Sequence, residues 1–322
     1  VKPDLTASVL IPTTGDRGPV LRFSVASVLR QTVNDLEVLV VGDGADDSTK
    51  AVAAELADAD PRVRFFDFPK HERRGEPNRH TVITEHARGR VIAYMCDRDL
   101  LLPNHVAELT RLLADADLAY TLRFTVATDG TFEFTHALDL RDPRQRAEHV
   151  TALSFLPLSF AGHTADAYRR LPYGWRTTPA TAATDRYMWS QWLDQPWCRV
   201  AASPEPTALR FSRGTYPGIG TEARRQELVS WVARLEDPDQ LRRDIMEAFW
   251  CDWAARFRHD QRVLSLLQRE GPVRATRGAA RQVRDRWRTR SSNPSTEPKP
   301  SARAETIDGA NGQSIPNAGS DQ

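Results

Sequence analysis

Cysteine is scarce in this chain: only Cys96, Cys198 and Cys251 occur among 322 residues, far apart and odd in number. They supply neither a disulfide framework nor a Cys-x-x-Cys metal site, and they leave a reducing, cytosolic compartment as the expectation. Net charge is nearly absent as well. The 44 basic and 43 acidic residues leave +1, so the whole chain has no pull toward nucleic acid and any basic surface must be local. No run approaches the roughly 18 apolar residues that a membrane-crossing helix needs. The opening Val1-Lys2-Pro3-Asp4 has neither the charged nor the apolar region of a secretory leader. No Gly-x-Gly-x-x-Gly follows the first predicted strand, which disfavours dehydrogenases and methyltransferases. Internal repeats are also missing.

What is present is material for a large core. The hydrophobic fraction is 40%, with 8 Trp and 12 Phe, and the length suits roughly two domains or one α/β domain with additions. Over the first hundred residues strand-like and helix-like segments alternate. Ala7–Ile11 reads as a strand ending at Pro12-Thr13-Thr14-Gly15, and a helix opens at Pro19 and runs to about Gln31. Leu36–Val41 is a second strand, stopped by Gly42-Asp43-Gly44, and Asp46, Asp47 and Ser48 supply the cap of a helix to about Ala59. Val63–Phe66 is a third strand. A helix near Arg79–Arg88 leads through Gly89 into the strand Val91–Met95, and another helix starts at Pro103. Such alternation predicts an α/β fold with a mostly parallel sheet, right-handed crossovers and helices on both faces.

The later chain is more mixed. Leu118–Ala127 and Thr131–Ala137 read as paired strands around the Asp129-Gly130 turn, and a helix is expected over Asp185–Asp194. Residues 222–289 are helical in pattern and strongly charged. Ser291–Gln322 is rich in Ser, Pro, Asn, Gly and Ala and is expected to be a disordered tail.

Ligands of an open parallel sheet bind beyond the carboxyl ends of its strands. Three predicted strands end there in polar residues: Thr13 and Thr14 on the first, Asp43 on the second, and Asp97-Arg98-Asp99 on the strand that ends at Met95. Asp43, set between two glycines, could accept hydrogen bonds from a base or a ribose, although Gly42-Asp43-Gly44 could also be a plain turn. The i, i+2 carboxylates Asp97 and Asp99 could turn toward one hard cation, Mg²⁺ or Mn²⁺, that bridges a diphosphate. An exposed acidic turn is the competing reading.

The order of motifs here resembles the family-2 glycosyltransferases of GT-A fold. Ser8-Val9-Leu10-Ile11-Pro12-Thr13, Ser27-Val28-Leu29-Arg30-Gln31-Thr32 and Leu39-Val40-Val41-Gly42-Asp43-Gly44 look like that family's S-V-I-I-P-T, S-V-L-x-Q-T and V-D-D-G-S. Gly89–Tyr94 running into Asp97-Arg98-Asp99 and Pro103 resembles its G-x-x-I-x-x-x-D-x-D…P segment. The likeness covers about residues 7–113 well and is patchy to about 213. It implies a GT-A domain over 5–215, followed by a helical extension over 216–290 and the tail over 291–322. It also implies inverting transfer of a sugar from a nucleotide-diphosphate donor, with a UDP-sugar as the first expectation, to an acceptor hydroxyl on a glycan, a lipid-linked glycan or a small molecule. Pro12, Thr13, Thr14, Asp43, Arg79 and Asp97 would bind the donor nucleotide, and Asp97 and Asp99 the metal.

The transfer also needs a general base on a separate segment. Thr184-Asp185-Arg186-Tyr187-Met188-Trp189 is similar to the family's E-D-x-x-L-W, which puts Asp185 in that role; a helix-capping role is the alternative. Three departures stand out. Gly42 and Thr184 replace acids, and Arg98 puts a cation inside the D-x-D that could pair with the diphosphate and reduce reliance on a metal. Arg73, Arg74 and Arg79 could reach a pyrophosphate or form a solvated face. His163 could line the acceptor side or be a hydrogen-bonded core residue, and Trp175, Trp189 and Trp192 could stack on a sugar or pack in the core.

Near the C-terminus, Val273, Thr276, Ala280, Val283 and Trp287 make a mild apolar stripe flanked by Arg274, Arg277, Arg281, Arg284 and Arg288. A helix over 272–289 could therefore lie on an anionic membrane at the inner face or on a partner, or simply pack on the domain. A sugar-phosphate nucleotidyltransferase and a catalytically degenerate GT-A binding module are the competing functions.

Overall fold

Long apolar runs that are buried on both faces place β1 (Leu5–Gly15) and β2 (Leu36–Ala45) in the middle of a sheet. The computed structural model describes residues 4–134, 139–146, 156–211 and 220–270. Its main sheet has seven strands in the order β10-β6-β9-β4-β1-β2-β3, where β3 is Val63–Phe68, β4 Gly89–Tyr94, β6 Leu118–Tyr120, β9 Ala161–Thr164 and β10 Val200–Ala202. Strands β1, β2, β3 and β4 are mutually parallel along the sheet, and β9 alone runs antiparallel to both its neighbours. The sheet is thus mostly parallel, as the alternation of elements predicts.

The crossovers are helices α1 (Gly18–Leu29), α2 (Asp47–Ala59) and α3 (Glu76–Glu85), and α4 (His105–Leu112) follows β4. Proline opens α1 and α3 within their first two positions, where a missing N–H costs no helical bond. The Asp46 carboxylate caps α2 by accepting from the Thr49 N–H at 2.7 Å. Strand register then levels the functional ends. Thr13 pairs with Gly42 across β1 and β2, and Leu10 pairs with Tyr94 across β1 and β4, so Asp97 emerges three residues past Tyr94 just as Thr13 stands three past Leu10.

The predicted strand over Leu118–Ala127 is in fact two. β6 stays in the main sheet, whereas β7 (Phe124–Val126) pairs antiparallel with β8 (Phe132–Phe134) around the Asp129-Gly130 turn. The break falls where the Thr121 N–H turns to the Phe160 carbonyl and the Leu122 N–H to the Glu205 carbonyl, so two different segments claim neighbouring residues. A small second ladder joins β5 (Leu100–Leu101) to β11 (Ala208–Leu209).

The chain divides into two compact units, residues 1–255 and 256–322. The first closes with helices Thr221–Arg234 and the beginning of Pro238–Glu270, and the described part of the second, 256–270, continues that last helix. The proposed surface helix 272–289 and the tail 291–322 lie outside the described residues. Among the described residues, no helix is long and apolar enough to cross a membrane.

One polar cluster is sealed inside the apolar sheet. The Glu37 side chain on β2 is fully buried and accepts from Ser8 Oγ at 2.7 Å and from the Arg88 N–H at 2.6 Å, with Arg64 and Arg88 guanidinium groups at 3.2 Å. Ser8 Oγ in turn accepts from the Gly89 N–H at 2.8 Å, so residues of four adjacent strands, β4, β1, β2 and β3, meet around one carboxylate. Removing it leaves the buried Ser8 hydroxyl and the Arg88 N–H without their acceptor, while Arg64 and Arg88 are exposed enough to turn to water. Glu37→Ala is therefore expected to lower stability by about 1–3 kcal/mol, measured as the loss in unfolding free energy in urea.

Candidate active site

An open cleft of about 660 Å³ lies beyond the carboxyl ends of β1, β2 and β4. It is lined by seven basic side chains, Arg17, Lys70, Arg73, Arg74, Arg79, Arg98 and Arg210, and by three carboxylates, Asp43, Asp97 and Asp185. In a chain of net charge +1 this is a concentrated local excess, suited to an anionic ligand. Pro12, Thr13 and Thr14 line the same cleft, so every expected donor-binding residue borders it.

Thr13 and Asp97 are joined directly. Thr13 Oγ1 donates to Asp97 Oδ2 at 3.0 Å, tying the end of β1 to the segment after β4, and both residues are buried. Burial pushes the Asp97 carboxyl up from its ordinary range, against the pull of Arg98 and Arg17. The loop that follows is held from behind by α1. Ser24 Oγ donates to the Asp99 carbonyl at 2.9 Å, and Ser27 Oγ accepts from the Leu101 N–H at 3.1 Å. Gln31 donates to the Leu102 carbonyl at 2.8 Å and accepts from the Val106 N–H at 2.9 Å. The S-V-L-x-Q-T segment thus works as a clamp on the acidic loop.

The expected metal pair is not formed. Asp99 turns into the protein, where its Oδ2 accepts from Ser159 Oγ at 2.5 Å and its Oδ1 from the Phe211 N–H at 3.2 Å, and it does not line the cleft. Asp97 faces the cleft without it. Among the described residues, no three His, Cys, Asp or Glu side chains converge as a metal-ligand set. The donor atoms therefore do not fit a cation bound between Asp97 and Asp99.

β2 runs on through Gly42-Asp43-Gly44 to Ala45, and Asp43, two residues from its end, is already engaged by Lys70 and His71, which sequence reading passed over. Lys70 Nζ lies 2.5 Å from its Oδ2, and the His71 N–H donates to Oδ1 at 2.6 Å. Thr14 Oγ1 donates to the Asp43 carbonyl at 2.6 Å. Gly75 must stay glycine for this approach: at φ +66° a Cβ would come within 2.8 Å of the Asp43 carboxyl carbon. Gly42, one of the departures noted above, faces the Phe65 ring, which a Cβ would meet at 3.1 Å. The ring fills the room that an acid would use.

Asp185 comes from a separate segment, the helix Thr184–Leu193. The cap position of that helix is Ala183, and the Asp185 carboxylate instead accepts from the Leu158 N–H at 3.2 Å, so it does not cap its own helix. Burial raises its pKa, opposed by the positive charges of Arg79, Arg74 and Arg210 and by the Leu158 bond. A carboxylate in that state holds its proton more readily than a solvated one. Thr184, in place of the usual acid, donates to the fully buried Glu76 at 3.3 Å. Thr184 thus rests against a carboxylate supplied by α3.

Arg79 is buried, stacks over Trp175 with 4.9 Å to the ring centroid, and donates to the Arg74 carbonyl at 2.7 Å. Arg73 is not a solvated face: it donates to the Thr178 and Pro179 carbonyls and borders the cleft. His163 is a core residue. It is fully buried with Tyr94 Oη at 2.7 Å and the Thr164 carbonyl at 3.0 Å, and burial pushes its pKa down to about 3. Trp189 and Trp192 are fully buried in the core, and Trp175 lies under Arg79 with its indole N–H on Tyr94. Arg17, Lys70 and Arg210 were not singled out from the sequence, because isolated basic residues on loops carry no spacing signal.

Comparison with known proteins bears on the family and the fold. The model of the family "Glycosyl transferase family 2" matches residues 8–173. The chain belongs to glycosyl transferase family 2. A Campylobacter jejuni GalNAc(5)-diNAcBac-PP-undecaprenol beta-1,3-glucosyltransferase is 28% identical over 102 residues, which cover 32% of each chain. Hyaluronan synthase of Pasteurella multocida is 36% identical over 110 residues, 33% of this chain and 11% of that protein. The match to these two relatives thus spans a third or less of their length. Among solved structures, the mannosyltransferase PcManGT of Pyrobaculum calidifontis, in complex with GDP-Man and Mn²⁺, superposes with a TM-score of 0.50 at 17% identity, covering 90% of this chain and 85% of that one. S. aureus TarS 1-349 also gives 0.50, at 12% identity, over 65% and 61%. At such identity these two likenesses speak for the GT-A fold.

Within this family-2 chain the Thr13–Asp97 bond gives a clean test. Thr13→Val keeps the shape and removes the donor to a buried carboxylate, so unfolding free energy should fall by about 1.5–3 kcal/mol in chemical denaturation.

Proposed function

We propose that this chain is an inverting glycosyltransferase that moves a sugar from a nucleotide-diphosphate donor to an acceptor hydroxyl, with Asp185 as general base. The observation that carries the reading is that Asp43, Asp97 and Asp185, from three separate segments, border one strongly basic cleft. Asp43 with Pro12, Thr13 and Thr14 would receive the nucleoside, Asp97 the ribose, and Arg79 with its basic neighbours the diphosphate. The acceptor oxygen would attack the anomeric carbon as its proton passes to Asp185. The bond to the diphosphate would break on the other side of that carbon, so a single displacement inverts its configuration. No step is assigned to a metal, because Asp99 is turned away from the cleft.

Uridine diphosphate sugars are the first donors to test, followed by GDP-mannose, the donor named in the PcManGT complex. The Campylobacter relative, named for an undecaprenyl-diphosphate glycan, supports a lipid-linked glycan as the first acceptor to try. Such an acceptor would place the reaction at the inner face of a membrane. A nucleotidyltransferase would release pyrophosphate, whereas the transferase releases nucleoside diphosphate. Donor sugars that raise the melting temperature, followed by nucleoside diphosphate release on adding acceptor, test the proposal directly.

Two outcomes are expected for the base. Asp185→Asn should abolish transfer, by a factor of about 10² or more, while donor affinity measured by calorimetry stays nearly unchanged. The base acts as a carboxylate, so kcat/KM should rise with pH through its pKa. Because burial raises that pKa, the acid limb should lie above the ordinary aspartate value of about 3.9. A limb at or below that value would remove Asp185 from the role.

A further inference from the structure

We infer that the guanidinium of Arg98 supplies the positive charge at the D-x-D loop, in the place where a divalent ion would otherwise meet the departing diphosphate. This rests on the transferase reading above and adds to it how the leaving group is neutralised.

Four observations carry it. First, Asp99 is turned away from the cleft and only 2% exposed: its carboxylate accepts from Ser159 Oγ and from the Phe211 N–H, and its backbone carbonyl accepts from Ser24 Oγ. Second, one oxygen of Asp97 is held by Thr13, and the other has the Arg98 guanidinium 3.7 Å away. Third, Arg98 lines the cleft with its side chain only 22% exposed, so its guanidinium has already given up much of its hydration before any ligand arrives. Fourth, Arg17 and Arg210 border the same cleft and reinforce the positive field in which Arg98 stands.

A guanidinium suits this task. It stays protonated at any working pH and presents paired N–H groups that match two phosphate oxygens at once. In the transfer, the acceptor oxygen forms its bond to the anomeric carbon while the bond from that carbon to the β-phosphate oxygen breaks. The electron pair leaves on that oxygen, the acceptor proton goes to Asp185, and Arg98 donates hydrogen bonds to the phosphate without giving up a proton. Preorganised charge at a leaving group lowers the barrier in the same way as a bound ion.

The test is calorimetric titration of the full chain with inorganic pyrophosphate, uridine diphosphate and guanosine diphosphate. Each is run once in excess EDTA and once in excess Mn²⁺, for the wild type and for Arg98→Gln. Wild-type affinity for at least one nucleoside diphosphate should agree within about threefold between EDTA and Mn²⁺, and Arg98→Gln should lose about tenfold or more in EDTA. A wild-type affinity that collapses by about tenfold or more in EDTA and returns with Mn²⁺ would overturn the inference while leaving the transferase reading intact. So would an Arg98→Gln chain that binds in EDTA as well as the wild type. Binding of none of the three probes in either condition would overturn both. The wild-type comparison does not depend on how well the variant folds.

Discussion

The hydrogen bond from Thr13 to Asp97 joins the ends of two adjacent parallel strands, and the cleft depends on it. Register alone brings these ends level, but the bond fixes which way the acidic loop leaves the sheet. Behind it, Ser24, Ser27 and Gln31 fasten the following residues to α1, so the loop is held on both sides. That double hold explains the division of labour between Asp97 and Asp99. A loop pinned at Thr13 and clamped from α1 turns one carboxylate to the cleft and the other to Ser159 and Phe211.

Electrostatics follow from this placement. Burial raises the proton affinity of both Asp97 and Asp185, and in each case arginines work against it. The basic residues therefore serve two ends: they keep buried acids usable as carboxylates and they prepare the cleft for a phosphate-bearing ligand. Their source is scattered. Lys70, Arg73, Arg74 and Arg79 arrive with the segment from β3 into α3, Arg17 and Arg98 with strand ends, and Arg210 from beside β11.

Much of the fold was legible because local patterns agreed with the tertiary outcome. The apolar runs at Leu36–Val41 and Val91–Met95, and Pro19 at the head of α1, each specify their element without help from distant residues. The elements that sequence misplaced are those under competing claims. Leu118–Ala127 has a continuous strand pattern, yet it breaks where Phe160 and Glu205 capture successive amide groups. Asp185 was picked out by its neighbours in the motif, but its freedom from a capping role could not be read, because that depends on the Leu158 amide 27 positions away.

The sequence by itself determined the mostly parallel α/β sheet, the strand ends that carry Thr13, Asp43 and Asp97, and the ordered motifs of the family. These are properties of short stretches, where periodicity and turn chemistry act within a few residues. Only the tertiary structure decided that Asp99 faces inward, that Lys70 and His71 seize Asp43, and that Glu76 stands beside Thr184. Each of these is a contact between groups far apart in the chain, and its partner is chosen by which groups burial leaves within hydrogen-bonding reach.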